Sequence, residues 1–171
     1  LLNHLRQLGA KLETLKRTVV GGAAVPLSMI RDFYTQHGVT VVQGWGMTEM
    51  SPLGTVSTLR YEMESLPDDE QFRLRALAGH GIFGVSMKIV DDEGRELPWD
   101  GKSSGMLKVR GPWVCSDYYE LGEQSAAHDE DGWFATGDVA NISPDGTLQI
   151  TDRAKDVIKS GGEWISSIDL E

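Results

Sequence analysis

Leucines at positions 1, 5, 8, 12 and 15, with lysines and arginines between them, predict an amphipathic helix over 1–15, weakened in its middle by Gly9. Thr18-Val19-Val20 is a short apolar run stopped by Gly21-Gly22. It predicts a strand ending in a tight loop and buried on both faces. Pro26 stands at a helix start, Leu27, Ile30, Phe33 and Tyr34 continue at helical spacing, and Gly38 supplies the stop. Val39–Val42 is a second β-branched strand that runs into Gly44-Trp45-Gly46. The order strand–helix–strand predicts an α/β unit with a parallel pair, the second strand also buried on both faces.

After Pro52 the pattern changes. Arg60–Glu70 carries five carboxylates against one arginine and predicts a solvated loop, followed by a short helix around 71–78. The remainder alternates as strands do. Gly84–Val90 and Arg95–Leu97 flank the turn Asp92-Glu93-Gly94, and Met106–Arg110 is a further strand. Val139–Ile142 and Thr147–Thr151 flank Ser143-Pro144-Asp145-Gly146, the clearest hairpin in the chain. The expected organisation is an α/β segment over 1–57, an antiparallel barrel-like segment over 58–152, and a new element over 153–171.

Composition narrows the classes. In 171 residues, 16 Lys+Arg against 26 Asp+Glu leave a net charge of −10, which disfavours a general nucleic-acid binder. No apolar run approaches the roughly 18–20 residues of a membrane span, and no signal-peptide pattern opens the chain. The single cysteine, Cys115, excludes an internal disulfide framework and a cysteine-based zinc site, so a reduced, cytoplasmic setting is expected. The chain starts at Leu1 rather than Met and stops at Glu171 within what reads as the start of a helix, so an internal piece of a longer protein is expected.

Some matches carry no chemistry. Gly79-His80-Gly81-Ile82-Phe83-Gly84 fits GxGxxG, but the dinucleotide fingerprint needs a strand before it and a helix after it, the reverse of the pattern here. His4, His37, His80 and His128 lack metal-ligand spacing and read as ordinary surface or half-buried side chains. Cys115 reads as a structural thiol.

Three stretches carry chemistry together. In Gln43-Gly44-Trp45-Gly46-Met47-Thr48-Glu49, two glycines around an indole permit close approach of a flat ligand. Thr48 offers a hydroxyl to a phosphate, and Glu49 offers a carboxylate suited to Mg²⁺. Alone, Gly-Trp-Gly fits a packed turn equally well. In Asp131–Asp138, the Asp138 carboxylate at the head of a strand can accept from both hydroxyls of a ribose; alone it reads as a turn aspartate. In Asp152–Ser166, cations precede Gly161-Gly162, which suits either an anionic ligand or a hairpin with a charged face.

In this order the stretches GWGMTE, WFATGD and DRAKDVIKSGGEWIS, with Gly21-Gly22-Ala23-Ala24 before them, closely resemble core motifs of the adenylate-forming acyl-CoA synthetases. The resemblance spans essentially the whole chain and is strongest to bacterial medium- and long-chain fatty acyl-CoA ligases and relatives acting on 3-methylmercaptopropionate. It implies the end of a large N-terminal α/β domain, a small antiparallel β-barrel, and the start of a C-terminal domain. It also implies ATP or AMP, Mg²⁺ and CoA as ligands, a carboxylic acid substrate, and no nucleic acid; a homodimeric full-length protein is compatible with it. By the same resemblance, Gly22, Ala23, Gly44, Trp45, Gly46 and Met47 hold adenine and border the acyl pocket. Thr48 contacts phosphate, Glu49 places Mg²⁺, Asp138 binds the ribose hydroxyls, and Arg153 meets the ribose and phosphate region. Lys155 matches the hinge of the family's C-terminal domain, and Gly161 and Gly162 approach the pantetheine arm of CoA.

Two parts of the family pattern are not found within these residues: the Thr/Ser/Gly-rich phosphate loop and the late catalytic lysine. The chain alone is therefore expected not to turn over. Two alternatives stay open, a non-catalytic nucleotide-binding remnant and part of a peptide-synthetase adenylation domain.

Overall fold

The computed structural model describes residues 1–119 and 128–155, together with two short strands at 158–160 and 163–165. Helix α1 covers Leu2–Leu8, half the length that the leucine spacing predicts. Gly9 is the reason. At φ 61° it turns left-handed, and the N–H groups of Gly9 and Ala10 donate back to the carbonyls of Arg6 and Leu5. That closes the helix where a residue with a side chain would continue it.

Strand β1, Arg17–Gly21, lies parallel to β2, Thr40–Gly46, pairing Val19 with Val42 and Gly21 with Gly44. Helix α2, Leu27–His37, makes the crossover between them, bounded by Pro26 and by Gly38 at φ 65°. The predicted parallel pair is present. Val41 and Val42 of β2 are buried, and Val39, Val41, Ile30, Phe33, Val25 and Phe72 form one core. Strand β1 is the edge strand of this sheet among the described residues: exposure alternates along it, and Val19 stands 67% exposed.

Strand β3, Leu53–Val56, and β4, His80–Gly81, extend the sheet antiparallel in the order β1-β2-β3-β4. Between them the acidic stretch is not a plain loop: a 3₁₀ turn covers Tyr61–Ser65 and α3 spans Asp68–Arg75. Its early start has an electrostatic cause. Asp68, Asp69 and Glu70 occupy its first turn and Arg73 and Arg75 its last, complementing the helix dipole at both ends.

The second sheet is an antiparallel meander of β5 (Ser86–Val90), β6 (Gly105–Arg110), β7 (Phe134–Ile142) and β8 (Leu148–Arg153). Its inner face packs Ile89, Leu107, Val109, Phe134, Ile142 and Leu148 around Met50. Both predicted turns are present. Asp91 N–H donates to Arg95 O, and Ser143 and Thr147 close the 143–146 loop with Gly146 at φ 86°. The predicted barrel is not closed among the described residues: β5 and β8 are the two edges of an open sheet. Four strands are too few to wrap around an interior filled by side chains. Instead Leu148 N–H donates to Gly79 O at 2.8 Å, so β8 leans on the end of the first sheet. Gly79 follows α3 and is followed by the strands β4 and β5, so the GxGxxG match has no helix behind it.

The charged segment after Asp152 contains the antiparallel pair β9, Ile158–Ser160, and β10, Glu163–Ile165. Gly161 and Gly162, which join them in sequence, lie outside the described residues, as does the helix expected near Glu171.

Candidate functional site

Parallel strands β1 and β2 end on the same side, and open α/β sheets bind ligands at the carboxyl ends of such strands. A cavity of about 450 Å³ lies there. One wall is Gly22, Ala23 and Ala24 after β1, with Gln43–Gly46 at the end of β2. The opposite wall comes from the second sheet, with Asp138 of β7 and Gln149, Ile150, Asp152 and Arg153 of β8. Ala76, Leu77 and Ala78, just past α3, complete the lining.

The end of β2 is shaped by close approach. The pairing of β2 with β3 slips between Trp45 and Gly46, and a Cβ on Gly46 would stand 2.0 Å from the carbonyl oxygen of Pro52. A Cβ on Gly54 would lie 2.7 Å from the Trp45 ring, so the indole packs where that glycine has no side chain. Trp45 is thereby held at the cavity wall. Its Nε1–H donates to Asp138 Oδ2 at 3.0 Å, across 93 residues of sequence.

Asp138 is the centre of the site. It lies within β7 rather than at its head, and is 3% exposed. Gly137, at φ 75°, precedes it, and the Gly137 carbonyl accepts from Ala154 N–H at 2.9 Å. Thr136 Oγ1 donates to Leu107 O and accepts from Asp138 N–H, fixing the backbone from the other side. Arg153 Nε lies 2.9 Å from Asp138 Oδ1, an ion pair by distance. No N–H is aimed along that line, so Oδ1 has charge beside it and no directed hydrogen bond. Burial pushes the Asp138 carboxyl above the usual aspartate range, while the Arg153 charge and the Trp45 N–H pull it down.

That balance has a consequence for stability. A carboxyl whose pKa is raised by folding binds its proton more tightly in the native state, so its contribution falls as pH climbs from the unfolded value through the native one. Asp138→Asn is therefore expected to lose less stability than the parent between about pH 4 and about pH 7. Urea midpoints at both pH values check this; an identical pH slope for the two proteins would contradict it. The comparison is needed because Asp91, Asp129 and Asp145, held by cations and N–H groups, have lowered values and weaken the fold in the opposite direction, as pH falls.

Gln43 carries a structural role that the motif alone does not reveal. Its Oε1 accepts from Val25 N–H at 3.0 Å, and its backbone N–H donates to Ser57 Oγ at 2.7 Å. It thus ties the Gly22–Val25 loop and the segment after β3 to β2. The available signal was an amide at the end of a valine strand. Ala76–Ala78, Gln149 and Ile150 had no sequence signal at all.

Met47, Thr48 and Glu49 follow Gly46 directly but do not line the cavity; Thr48 is exposed. The Glu49 carboxylate accepts from Tyr118 O–H at 2.7 Å, and its backbone carbonyl accepts from Cys115 N–H at 2.7 Å. The hydrogen bond to Glu49 pushes the Tyr118 phenol up to about 12, and burial raises the Cys115 thiol. Lys155 is exposed and outside the lining. Among the described residues no three His, Cys, Asp or Glu side chains cluster as a metal site. A single carboxylate such as Glu49 fits Mg²⁺, which keeps several waters and is shared with phosphates, and does not fit a cage of protein ligands. No helix among the described residues is long and apolar enough to cross a membrane.

Known proteins share both the sequence and the shape. The chain is 54% identical over 171 residues to the 3-methylmercaptopropionyl-CoA ligase of Ruegeria lacuscaerulensis, matching 100% of this chain and 31% of that protein. It is 52% identical over 163 residues to the medium-chain-fatty-acid–CoA ligase of Ectopseudomonas oleovorans, 95% of this chain and 30% of that one. The chain thus spans about a third of the length of the curated relatives it matches. Among solved structures, the O-succinylbenzoate coenzyme A synthetase of Bacillus subtilis, in complex with ATP and magnesium ion, superposes with a TM-score of 0.78 at 27% identity, covering 99% of this chain and 33% of that one. The ATP-bound MatB of Rhodopseudomonas palustris superposes at 0.73 with 29% identity, covering 90% of this chain and 28% of its own. The AMP-binding enzyme family matches residues 1–119, and with these relatives it establishes that the chain belongs to that family.

Proposed function

We propose that the protein containing this chain is an ATP-dependent acyl-CoA ligase, and that the cavity between the two sheets is its nucleotide site. The observation that carries this reading is the Asp138 carboxylate, buried at the cavity wall, with Oδ2 held by Trp45 and Oδ1 lacking a directed hydrogen bond. A ribose presents two hydroxyl donors, and a carboxylate held this way is a matched acceptor for them. Gly22, Ala23 and the Gly44–Gly46 backbone then face the adenine, with Met47 continuing that wall toward the acyl group. Arg153, at 58% side-chain exposure, keeps its charge beside the ribose and phosphates.

In the first half-reaction an oxygen of the acid's carboxylate attacks the α-phosphorus and pyrophosphate leaves. In the second, the CoA thiolate attacks the acyl carbonyl and AMP leaves. Neither step calls for covalent help from the protein; both call for alignment and for neutralised charge. Thr48 and Glu49 are assigned to the phosphates and to Mg²⁺, which supplies charge neutralisation when bound. Lys155 is assigned to the hinge, and Gly161 and Gly162 to the approach of CoA. Residues 1–57 and 58–152 are read as the two parts of one domain and 153–171 as the opening of another. The relatives point to medium-length fatty acids and 3-methylmercaptopropionate as first substrates to try.

The test is ATP–pyrophosphate exchange by the intact protein with such acids, followed by CoA thioester formation. Acid-dependent exchange supports the reading. AMP binding without exchange favours a nucleotide-binding protein without catalysis, and acyl transfer to a carrier-protein thiol but not to CoA favours a peptide-synthetase relative. Trp45→Phe keeps an aromatic wall and deletes the donor to Asp138. That bond orients the carboxylate with and without nucleotide, so its loss costs binding at most its own worth of about 1.5 kcal/mol, and affinity by calorimetry is expected to fall by up to roughly tenfold. An unchanged affinity would separate Trp45 from the site.

A further inference from the structure

We propose that Tyr118 is a positioning residue for Glu49: its phenol O–H, donated to Oε1 at 2.7 Å, fixes the orientation in which that carboxylate is offered to a divalent cation. The proposal rests on the reading of Glu49 as the Mg²⁺ residue given above. Glu49 sits on a 3₁₀ turn, Thr48–Met50, too short to hold a long side chain in one rotamer by packing. Carboxylates that bind metals are commonly held by a second partner, and loss of that partner lowers metal affinity. Here the partner comes from a segment 69 residues away in sequence.

The two segments are laced together along their length. Cys115 N–H donates to the Glu49 carbonyl at 2.7 Å, and Ser51 Oγ donates to the Trp113 carbonyl at 3.0 Å. Met50, fully buried, anchors the turn in the core below, with Val114 and Cys115 packed against the same cluster. The backbone of the turn is thus placed by the Cys115 N–H on Glu49 and by buried Met50, without help from Tyr118. What the phenol adds is direction to the carboxylate itself, occupying one oxygen and leaving Oε2 out of that bond.

Mn²⁺ binding to the intact protein tests this. Free Mn²⁺ is read by electron paramagnetic resonance in the presence of a non-hydrolysable ATP analogue, and affinity for the analogue is measured separately without metal. Tyr118→Phe removes one oxygen and is expected to weaken Mn²⁺ binding about tenfold, with metal-free nucleotide affinity and thermal midpoint close to the parent. Ser51→Ala cuts a neighbouring strut and leaves the carboxylate's partner in place, so its Mn²⁺ affinity should stay within about twofold of the parent, well inside the loss a removed second partner causes. Glu49→Gln should lose more than Tyr118→Phe. If Glu49→Gln loses affinity and Tyr118→Phe does not, Tyr118 has no positioning role and the proposal fails alone. If Ser51→Ala weakens Mn²⁺ as much as Tyr118→Phe, the effect is general loosening, which also overturns it. If Glu49→Gln binds Mn²⁺ like the parent, the metal reading of Glu49 fails and takes the proposal with it.

Discussion

Replacing Gly46 by alanine is expected to destabilise the protein by roughly 3 kcal/mol and to abolish nucleotide binding at the same time. The new Cβ would meet the Pro52 carbonyl oxygen at 2.0 Å, the Gly54 nitrogen at 2.9 Å and the Leu53 Cα at 3.0 Å. All three are backbone atoms, so no side chain can swing aside. Relief requires β2 and β3 to part at the register slip, which moves Trp45 off Gly54 and away from Asp138. Gly132→Ala is the comparator, because it imposes a left-handed φ of 77° on alanine with no atom near the new Cβ. That strain alone costs about 1–2 kcal/mol. Urea midpoints together with calorimetry of AMP binding check the pair. Gly46→Ala should be the more damaging for stability and the only one to lose the ligand; equal losses would mean that close approach at Gly46 does not shape the wall.

Asp138→Ala is expected to cut kcat/KM of the adenylation half-reaction roughly 10²–10³-fold, the size seen when one preorganised hydrogen-bonding group is removed from an active site. Two effects add. The ribose loses a charge-assisted acceptor, and Trp45 Nε1 and the Arg153 guanidinium lose the carboxylate they face. Asp138→Asn separates them. Its amide oxygen can still accept from Trp45 and hold the wall, while the charge at the ribose is gone, so it should bind nucleotide better than alanine and worse than aspartate. Steady-state exchange kinetics and AMP calorimetry read both. Wild-type activity in Asp138→Ala would remove Asp138 from the site altogether.

Local chemistry explains which features were legible in the sequence. Pro26 and Gly38 bracket α2 by backbone rules that need no tertiary context, and the 143–146 turn follows from its proline and glycine in the same way. The parallel β1–β2 pair follows from the strand–helix–strand order. Gly9 was visible but read as a weak point, whereas its left-handed conformation ends α1 outright. For α3, counting carboxylates suggested solvent, although their position in the first turn is what starts the helix. The exposure of Val19 follows from the place of β1 at the edge of the described sheet.

At the site, Gly22, Ala23, Gly44, Trp45, Gly46, Asp138 and Arg153, singled out by the motif resemblance, all line one cavity, whereas Met47, Thr48, Glu49 and Lys155 lie outside its lining. Residues that act through ordinary side chains were not. Gln43 and Tyr118 matter through single hydrogen bonds formed 18 and 69 residues away, and Ala76–Ala78 enter the wall only because α3 ends beside it. A contact between distant segments leaves no periodicity or spacing to read.

The central claim is that the cavity between the sheets is the nucleotide site, with Asp138 on the ribose. A crystal structure of the intact protein with AMP tests it most directly. The account predicts both ribose hydroxyls within hydrogen-bond distance of the Asp138 carboxylate and the base against Gly44–Gly46. AMP bound elsewhere, with this cavity empty at saturating nucleotide, would contradict it.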